Sequence, residues 1–245
     1  MSTPEERAIR VDLAAAYRLV AHYGWDDLIF THLSARAPGP EHHFFINPYG
    51  MLFEEITASS LVKVDLAGDK VEDSPWPVNP AGFTIHSAVH EAREDAACVM
   101  HLHTVDGVAV SVMDCGLLPQ TQTAMVVHAD LAYHEYEGIA LDHAERPRLA
   151  QDLGDKGCMM LWNHGTLTLG RSVAEAFFRM YALERACSTQ VRFMAGPGIH
   201  EAPEGIAAKV AAQVAVPEFG RVVIDELAWP ALKRMLDRRD PSYKD

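Results

Sequence analysis

The chain is short of several things, and each shortage removes a class of protein. It has 4 cysteines in 245 residues, Cys98, Cys115, Cys158 and Cys187, with no Cys-x-x-Cys spacing. Neither a disulfide scaffold nor a cysteine-ligated metal site is expected, and all four read as reduced packing residues. Gly (16) and Pro (14) are too few for a disordered or collagen-like chain, and 49% hydrophobic with 22% charged residues is ordinary globular usage. Basic residues are scarce, with Lys+Arg 21 against Asp+Glu 34 and a formal charge of -13. No window gathers a basic stripe, so nucleic acid is not an expected partner. No apolar run approaches the roughly 18 residues of a spanning helix. The opening MSTPEERAIRVDLAAAYRLV carries acids where a signal peptide needs bases. A cytoplasmic protein without a membrane partner is expected. Walker A, Gly-x-Gly-x-x-Gly and Gly-x-Ser-x-Gly patterns are absent, which removes the simplest nucleotide-binding and serine-hydrolase readings.

What is present is a succession of short elements whose total length suits a single α/β domain with appendages. Thr3-Pro4-Glu5-Glu6 caps a first helix that carries Ile9, Leu13, Ala16 and Val20 at helical spacing. LIFTHLSAR, HFFINP and LVKVDL follow as short strands of an antiparallel section, split by turns at Pro38-Gly39-Pro40 and Pro48-Tyr49-Gly50. A short helix is expected from near Gly82, marked by Ile85, Ala88 and Val89, with Ala92. Ala97 to His103 reads as a strand with Cys98, Met100 and Leu102 on one face and Val99, His101 and His103 on the other. Thr104 would cap a helix after it. A second unit repeats the plan: a helix from about Ala144 to Leu153, then the strand Cys158 to Trp162, ending in a tight Asn163-His164-Gly165 turn. Ser172-Val-Ala-Glu175 is a capping box for a long helix running to the Gly196-Pro197-Gly198 break. One domain over 1–245 is expected, with a core of about 8–195 and a helical or loop extension over 196–245.

Two strands thus finish in histidines, where open α/β sheets place their ligands. A His-x-His on a strand sets two imidazoles on one face, close enough to share a cation. The spacing alone is cheap, since 13 histidines supply about 0.7 such pairs by chance, and His101 and His103 as hydrogen-bonded partners at a strand end is the plain alternative. His86-Ser-Ala-Val-His90 has helical metal-ligand spacing, but Ser87 stands where a metalloprotease needs its glutamate. A cupin is disfavoured because the chain turns helical after His103, and a TIM barrel because about 100 residues are already spent.

In order along the chain, DDLIFTHLSAR, INPYGMLFEEIT, the helix from Gly82 to Arg93, VMHLHT and LWNHGTLTLGRSVAEAF resemble the class II aldolase/adducin family, over about Ala8 to Met194. The resemblance implies a three-layer αβα sandwich with a mixed, largely antiparallel central sheet. It also implies a cyclic homotetramer with active sites between subunits, and a divalent metal, most often zinc, on His101, His103 and His164. Two departures stand out. The acid/base glutamate of the sugar-phosphate aldolases falls on Gly82. Their phosphate-holding pairs fall on Thr31-His32, Tyr49-Gly50 and Pro80-Ala81, which offer a dianion fewer donors, so a non-phosphorylated substrate is expected.

A metal on three histidines suits carbon–carbon cleavage through a stabilised enolate. Loss of a base at position 82 favours decarboxylation, with retro-aldol cleavage close behind, on a small hydroxy or keto compound. His32 is the candidate acid/base. Ser34 and Arg36 share its strand face, with Arg36 suited to a carboxylate, and Asn47, Gly50, Asn79 and Gly82 complete the candidate substrate contacts. Zinc is expected first, with Mn, Fe and Co also compatible. A non-catalytic adducin-head-like binding module and an iron-dependent oxygenase remain open alternatives.

Overall fold

The structure, a computed structural model, describes residues 3–139, 142–216 and 218–245. Helix α1 (Pro4–Tyr23) starts as its sequence demands: Thr3 Oγ1 accepts the Glu6 N–H at 3.1 Å, and Pro4 fills the first turn. It stops at Gly24, whose φ of +68° suits a residue without Cβ. The second half of the expected capping box does not form, because the Glu6 carboxylate turns to Arg10 and Lys63.

Seven strands make one sheet: β1 (His32–Arg36), β2 (Phe44–Ile46), β3 (Val62–Val64), β4 (Cys98–Leu102), β5 (Leu131–His134), β6 (Cys158–Leu161) and β7 (Gly165–Gly170). Their order is β3-β2-β1-β4-β7-β6-β5, antiparallel throughout except for the β5–β6 pair. Between them run α2 (Pro80–Ala92), α3 (Val105–Ser111), α4 (Gln122–His128), α5 (Arg146–Leu153) and the long α6 (Val173–Met194), followed by α7 (Ile206–Val214), a π-helical stretch Phe219–Ala228 and α8 (Trp229–Arg239).

The two sheet faces carry separate cores, which makes the three-layer αβα sandwich. On one face Leu33, Ala35, Phe45, Cys98, Met100 and Leu102 pack under α1 and α6. On the other, Val99, Met159, Leu161, Leu167 and Leu169 pack under α2 and α5. The alternation expected for β4 is therefore realised, and it sends His101 to the α2 side. From the C-terminal region Ile224, Trp229, Leu236 and Tyr243 join the α1–α6 core.

Three details differ from the sequence reading. The strand expected in LIFTHLSAR begins only at His32, because Leu28 (φ 53°) and Thr31 (φ 66°) break the extended chain before it. Helix α2 starts at Pro80, two residues before Gly82. Strand β7 was not expected; Gly-Thr-Leu-Thr-Leu-Gly pairs with both β4 and β6, and its burial comes from that central position. Among the described residues no helix is long and apolar enough to cross a membrane.

Helix α6 carries one side of the site described next, and its N-cap is testable. Ser172 Oγ accepts the Glu175 N–H at 3.1 Å, while the Glu175 carboxylate takes the Arg171 N–H at 2.9 Å. Ser172→Ala is expected to lower stability by about 1 kcal/mol, read as a lower urea midpoint with an unchanged slope.

Candidate metal centre

Pairing of β4 with β7 decides where the histidines meet. The register sets Leu102 opposite Thr166 and His101 opposite Leu167, so the end of β4 lies beside the start of β7. The turn that feeds β7 holds Asn163 at φ 55° and presents His164. His103, one residue past β4, completes the group. The ring centroids lie 4.8 Å apart for His101–His103, 4.7 Å for His101–His164 and 4.8 Å for His103–His164. One ring nitrogen from each falls within 4.8 Å of the others.

Hydrogen bonding orients these rings. His101 Nδ1 lies 3.0 Å from the Thr166 carbonyl, and His103 Nδ1 lies 3.2 Å from Asp27 Oδ2. Both partners only accept, so each Nδ1 carries a hydrogen and, in a neutral ring, each Nε2 is bare. The two Nε2 atoms are 3.0 Å apart. Two lone pairs at that distance repel unless a positive charge lies between them. Burial, followed by the neighbouring imidazoles, holds His101 well below its ordinary pKa, and burial together with His103 lowers His164 to about 4. With His101 and His164 held neutral and the rings of His101 and His103 oriented from outside, the triad could hold a divalent metal ion.

A buried carboxylic acid braces the ligands from α6. The hydroxyls of Thr104 and Thr166 both bond to Glu184, the latter at 3.1 Å. Thr104 follows His103, and Thr166 supplies the carbonyl that orients His101. Burial raises the Glu184 carboxyl to about 7, against the lowering effect of its two hydroxyl partners.

The remaining candidates divide into those brought to this end of the sheet and those kept from it. His32 pairs with His101 across β1 and β4, and is 5% exposed. Its Nε2 lies 2.8 Å from Asn79 Nδ2. A Cβ at position 82 would stand 2.4 Å from that Nε2, so the His32 ring occupies the space over Gly82 that any side chain there would enter. Ser34 lies behind His32, its Oγ between His86 and His90. Arg36 is at the far end of β1 and donates to the His90 carbonyl at 2.6 Å and the Arg93 carbonyl at 3.4 Å, tying off the end of α2. Asn47 Oδ1 lies 2.9 Å from the Tyr17 hydroxyl, on the α1 side. Gly50 occupies a turn at φ +110°. The side chains of Pro80 and Ala81 lie outside the described residues.

Sequence reasoning missed Asp27, Thr166, Glu184 and the pairing of Ser34 with His86 and His90. Only Glu184 left a signal, as a lone acid among Met180, Leu183 and Cys187 on the apolar stripe of α6.

Fold and site together define a class II aldolase-type domain, and comparison with known proteins agrees. The family model for the Class II Aldolase and Adducin N-terminal domain matches residues 11–191, and the chain belongs to that family. It is 58% identical over 238 residues to a Caulobacter vibrioides protein provisionally named an aldolase class 2 protein, covering 96% of this chain and 91% of that one. It is 47% identical over 196 residues to mouse (Mus musculus) alpha-adducin, covering 79% of this chain but 26% of the adducin. The solved L-fuculose 1-phosphate aldolase of Glaciozyma antarctica PI12 superposes with a TM-score of 0.86 at 27% identity, covering 100% of this chain and 96% of that one.

Two outcomes follow. Gly82→Ala drives its methyl into the His32 ring, and a loss of about 1–3 kcal/mol is expected, measured by denaturant unfolding. Burial raises the Glu184 carboxyl from the ordinary glutamate value of 4.5 to about 7. The folded state therefore binds the extra proton, and stability is full below the lower value and falls as pH rises toward the higher one. At about 1.4 kcal/mol per pKa unit, Glu184→Gln should remove up to ~3 kcal/mol of that decline, seen as a flatter urea midpoint between those pH values than in the unmodified protein.

Proposed function

We propose that this protein is a metal-dependent carbon–carbon lyase, of aldolase or decarboxylase type, acting in the cytoplasm on a small hydroxy or keto compound without a phosphate. The observation that carries the reading is the convergence of three imidazoles, with the Nε2 atoms of His101 and His103 3.0 Å apart and His164 alongside. His101, His103 and His164 would hold the ion, with zinc the first choice for a nitrogen set and Mn, Fe and Co accepted by the same donors. When bound, the ion supplies Lewis acidity to a substrate carbonyl, which cleavage of the adjacent carbon–carbon bond requires.

The chain's own residues supply the rest. His32 stands over Gly82 with Nε2 facing the amide of Asn79. In the retro-aldol direction that nitrogen, once released by the Asn79 amide, would take the hydroxyl proton as the bond opens and return it to the carbon left by cleavage; in decarboxylation it would first have to take that proton from water. Burial, with lesser effects of His103 and His164, lowers His32 to about 3, so the resting ring is neutral rather than a resident cation. Arg36 is committed to carbonyls, which leaves the β1 segment without a free cation for a phosphate.

A homotetramer with sites between subunits belongs to the same proposal. It is supported by the exposure of Leu28 (67%), Val105 (85%) and Ile139 (74%), the first two beside residues that contact or include the triad. Identity to alpha-adducin supports a second reading, a non-catalytic binding module.

Metal analysis of protein purified without added metal separates these. One equivalent of zinc, manganese or cobalt per chain supports the lyase, iron supports an oxygenase, and metal-free protein supports the binding module. Replacing His101, His103 or His164 with Ala should abolish stoichiometric uptake. Asp27→Ala, which frees the outer nitrogen of His103, should weaken affinity about 10–100-fold, measured by chelator competition.

A further inference from the structure

The three imidazoles of the triad are not held alike. His101 Nδ1 faces the Thr166 carbonyl and His103 Nδ1 faces Asp27, but among the described residues none forms a hydrogen bond with the ring of His164. The backbone of its turn is fixed, since the Asn163 N–H donates to the Ser111 carbonyl at 3.0 Å and the His164 N–H to the Leu161 carbonyl at 3.1 Å. A fixed backbone still leaves the imidazole free to rotate about its own torsions. A ligand that must give up that freedom on binding an ion binds it less tightly than one already locked in place.

What the His164 ring does touch is aromatic. Its centroid lies 5.9 Å from that of Tyr136 with the planes at 66°, within the range of edge-to-face pairs. The other rings that meet it are His101 and His103, which belong to the triad themselves. Among the described residues, Tyr136 is therefore the ring that meets His164 from outside the triad.

Strand pairing brings Tyr136 there. Strands β5 and β6 run parallel with His134 opposite Leu161, and the Trp162 N–H donates to the His134 carbonyl at 2.9 Å. Just beyond that pair stand Tyr136 on one segment and His164 on the other. The end of β5 is anchored: His134 has Nδ1 2.7 Å from Asp152 Oδ2 and Nε2 3.4 Å from Glu145 Oε1, and Tyr133 stacks on Trp162 with centroids 4.7 Å apart. Tyr136 itself is 50% exposed and belongs to none of the hydrophobic cores. Its contact with His164 is thus not a by-product of core packing.

We propose that Tyr136 is a positioning residue of the metal centre, its ring packed against His164 so that this imidazole stays turned toward His101 and His103. It does for the third ligand what the Thr166 carbonyl and Asp27 do for the other two. The hydroxyl of Tyr136 makes no hydrogen bond among the described residues, so the ring carries the effect and phenylalanine can replace it. The role of Tyr136 as holder of a ligand rests on the reading of the triad as a metal site; the packing of the two rings does not.

Two measurements on the full-length protein test this, and both variants should fold because Tyr136 lies outside the cores. In metal-free protein, carbethoxylation of His164 by diethyl pyrocarbonate, followed by peptide mass spectrometry with exposed His128 as reference, should be faster in Tyr136→Ala than in the unmodified protein and unchanged in Tyr136→Phe. Cobalt(II) titration, followed by visible absorption, should show affinity about 3–10-fold weaker in Tyr136→Ala, with Tyr136→Phe matching the unmodified protein. The proposal is overturned if Tyr136→Ala leaves the His164 modification rate or the cobalt affinity unchanged, or if Tyr136→Phe behaves like Tyr136→Ala. An unmodified protein that takes up no cobalt refutes the metal reading and the ligand role with it, while the modification rates report separately whether Tyr136 holds the ring.

Discussion

The antiparallel pairing of β4 with β7 is the constraint on which the candidate site depends. It places the last residues of β4 beside the first of β7, and so beside the turn that carries His164. Side chains alternate along a strand, so a slip of one residue would send His101 from the α2 side into the α1–α6 core and bring Met100 or Leu102 out in its place. Gly165 makes the approach possible, since a Cβ there would stand 2.4 Å from the Leu102 carbonyl oxygen. The hydrophobic cores on the two faces hold the register, and the histidines inherit their positions from it.

Around that junction the protein buries neutral groups and orders their hydrogens with acceptors that cannot donate. The Thr166 carbonyl does this for His101, Asp27 for His103, and the Ala96 carbonyl for His90. Burial suppresses the charged forms of His101 and His90, and the fixed acceptors then choose between their neutral tautomers. Glu184 is a further buried group, its carboxyl raised to about 7 by burial beneath two threonines that flank the ligand strands. Three imidazoles brought to one point in this way could hold a cation.

Much of this was legible in the sequence because it is local. The cap at Thr3, the alternation of β4, the turn at Asn163-His164-Gly165 and the cap at Ser172 each follow from backbone chemistry within a few residues. The ordered segments pointed to the family for the same reason, each being a contiguous string. What escaped was contact between distant segments. Strand β7 is only six residues long with a glycine at each end, which weakens its strand signal, and it is buried because β4 and β6 flank it. Arg36 had a suitable face for a carboxylate, yet the end of α2 reaches its guanidinium first. His86 and His90 have the spacing of metal ligands, but Ser34 of another strand takes up one nitrogen of each.

By itself the sequence determined many of the elements, though not β7, the face each residue of β4 takes, and the presence of two histidine-bearing strand ends. Those properties depend on periods of two and 3.6 residues and on capping chemistry, which act over a single turn. Only the tertiary structure decided that the two ends meet, that His32 lies over Gly82, and which nitrogen of each ring is bare. Those outcomes depend on strand order and on which carbonyl or carboxylate lies next to each ring, and the partners are separated by as many as 76 residues, as Asp27 is from His103. No local rule spans that distance; packing does.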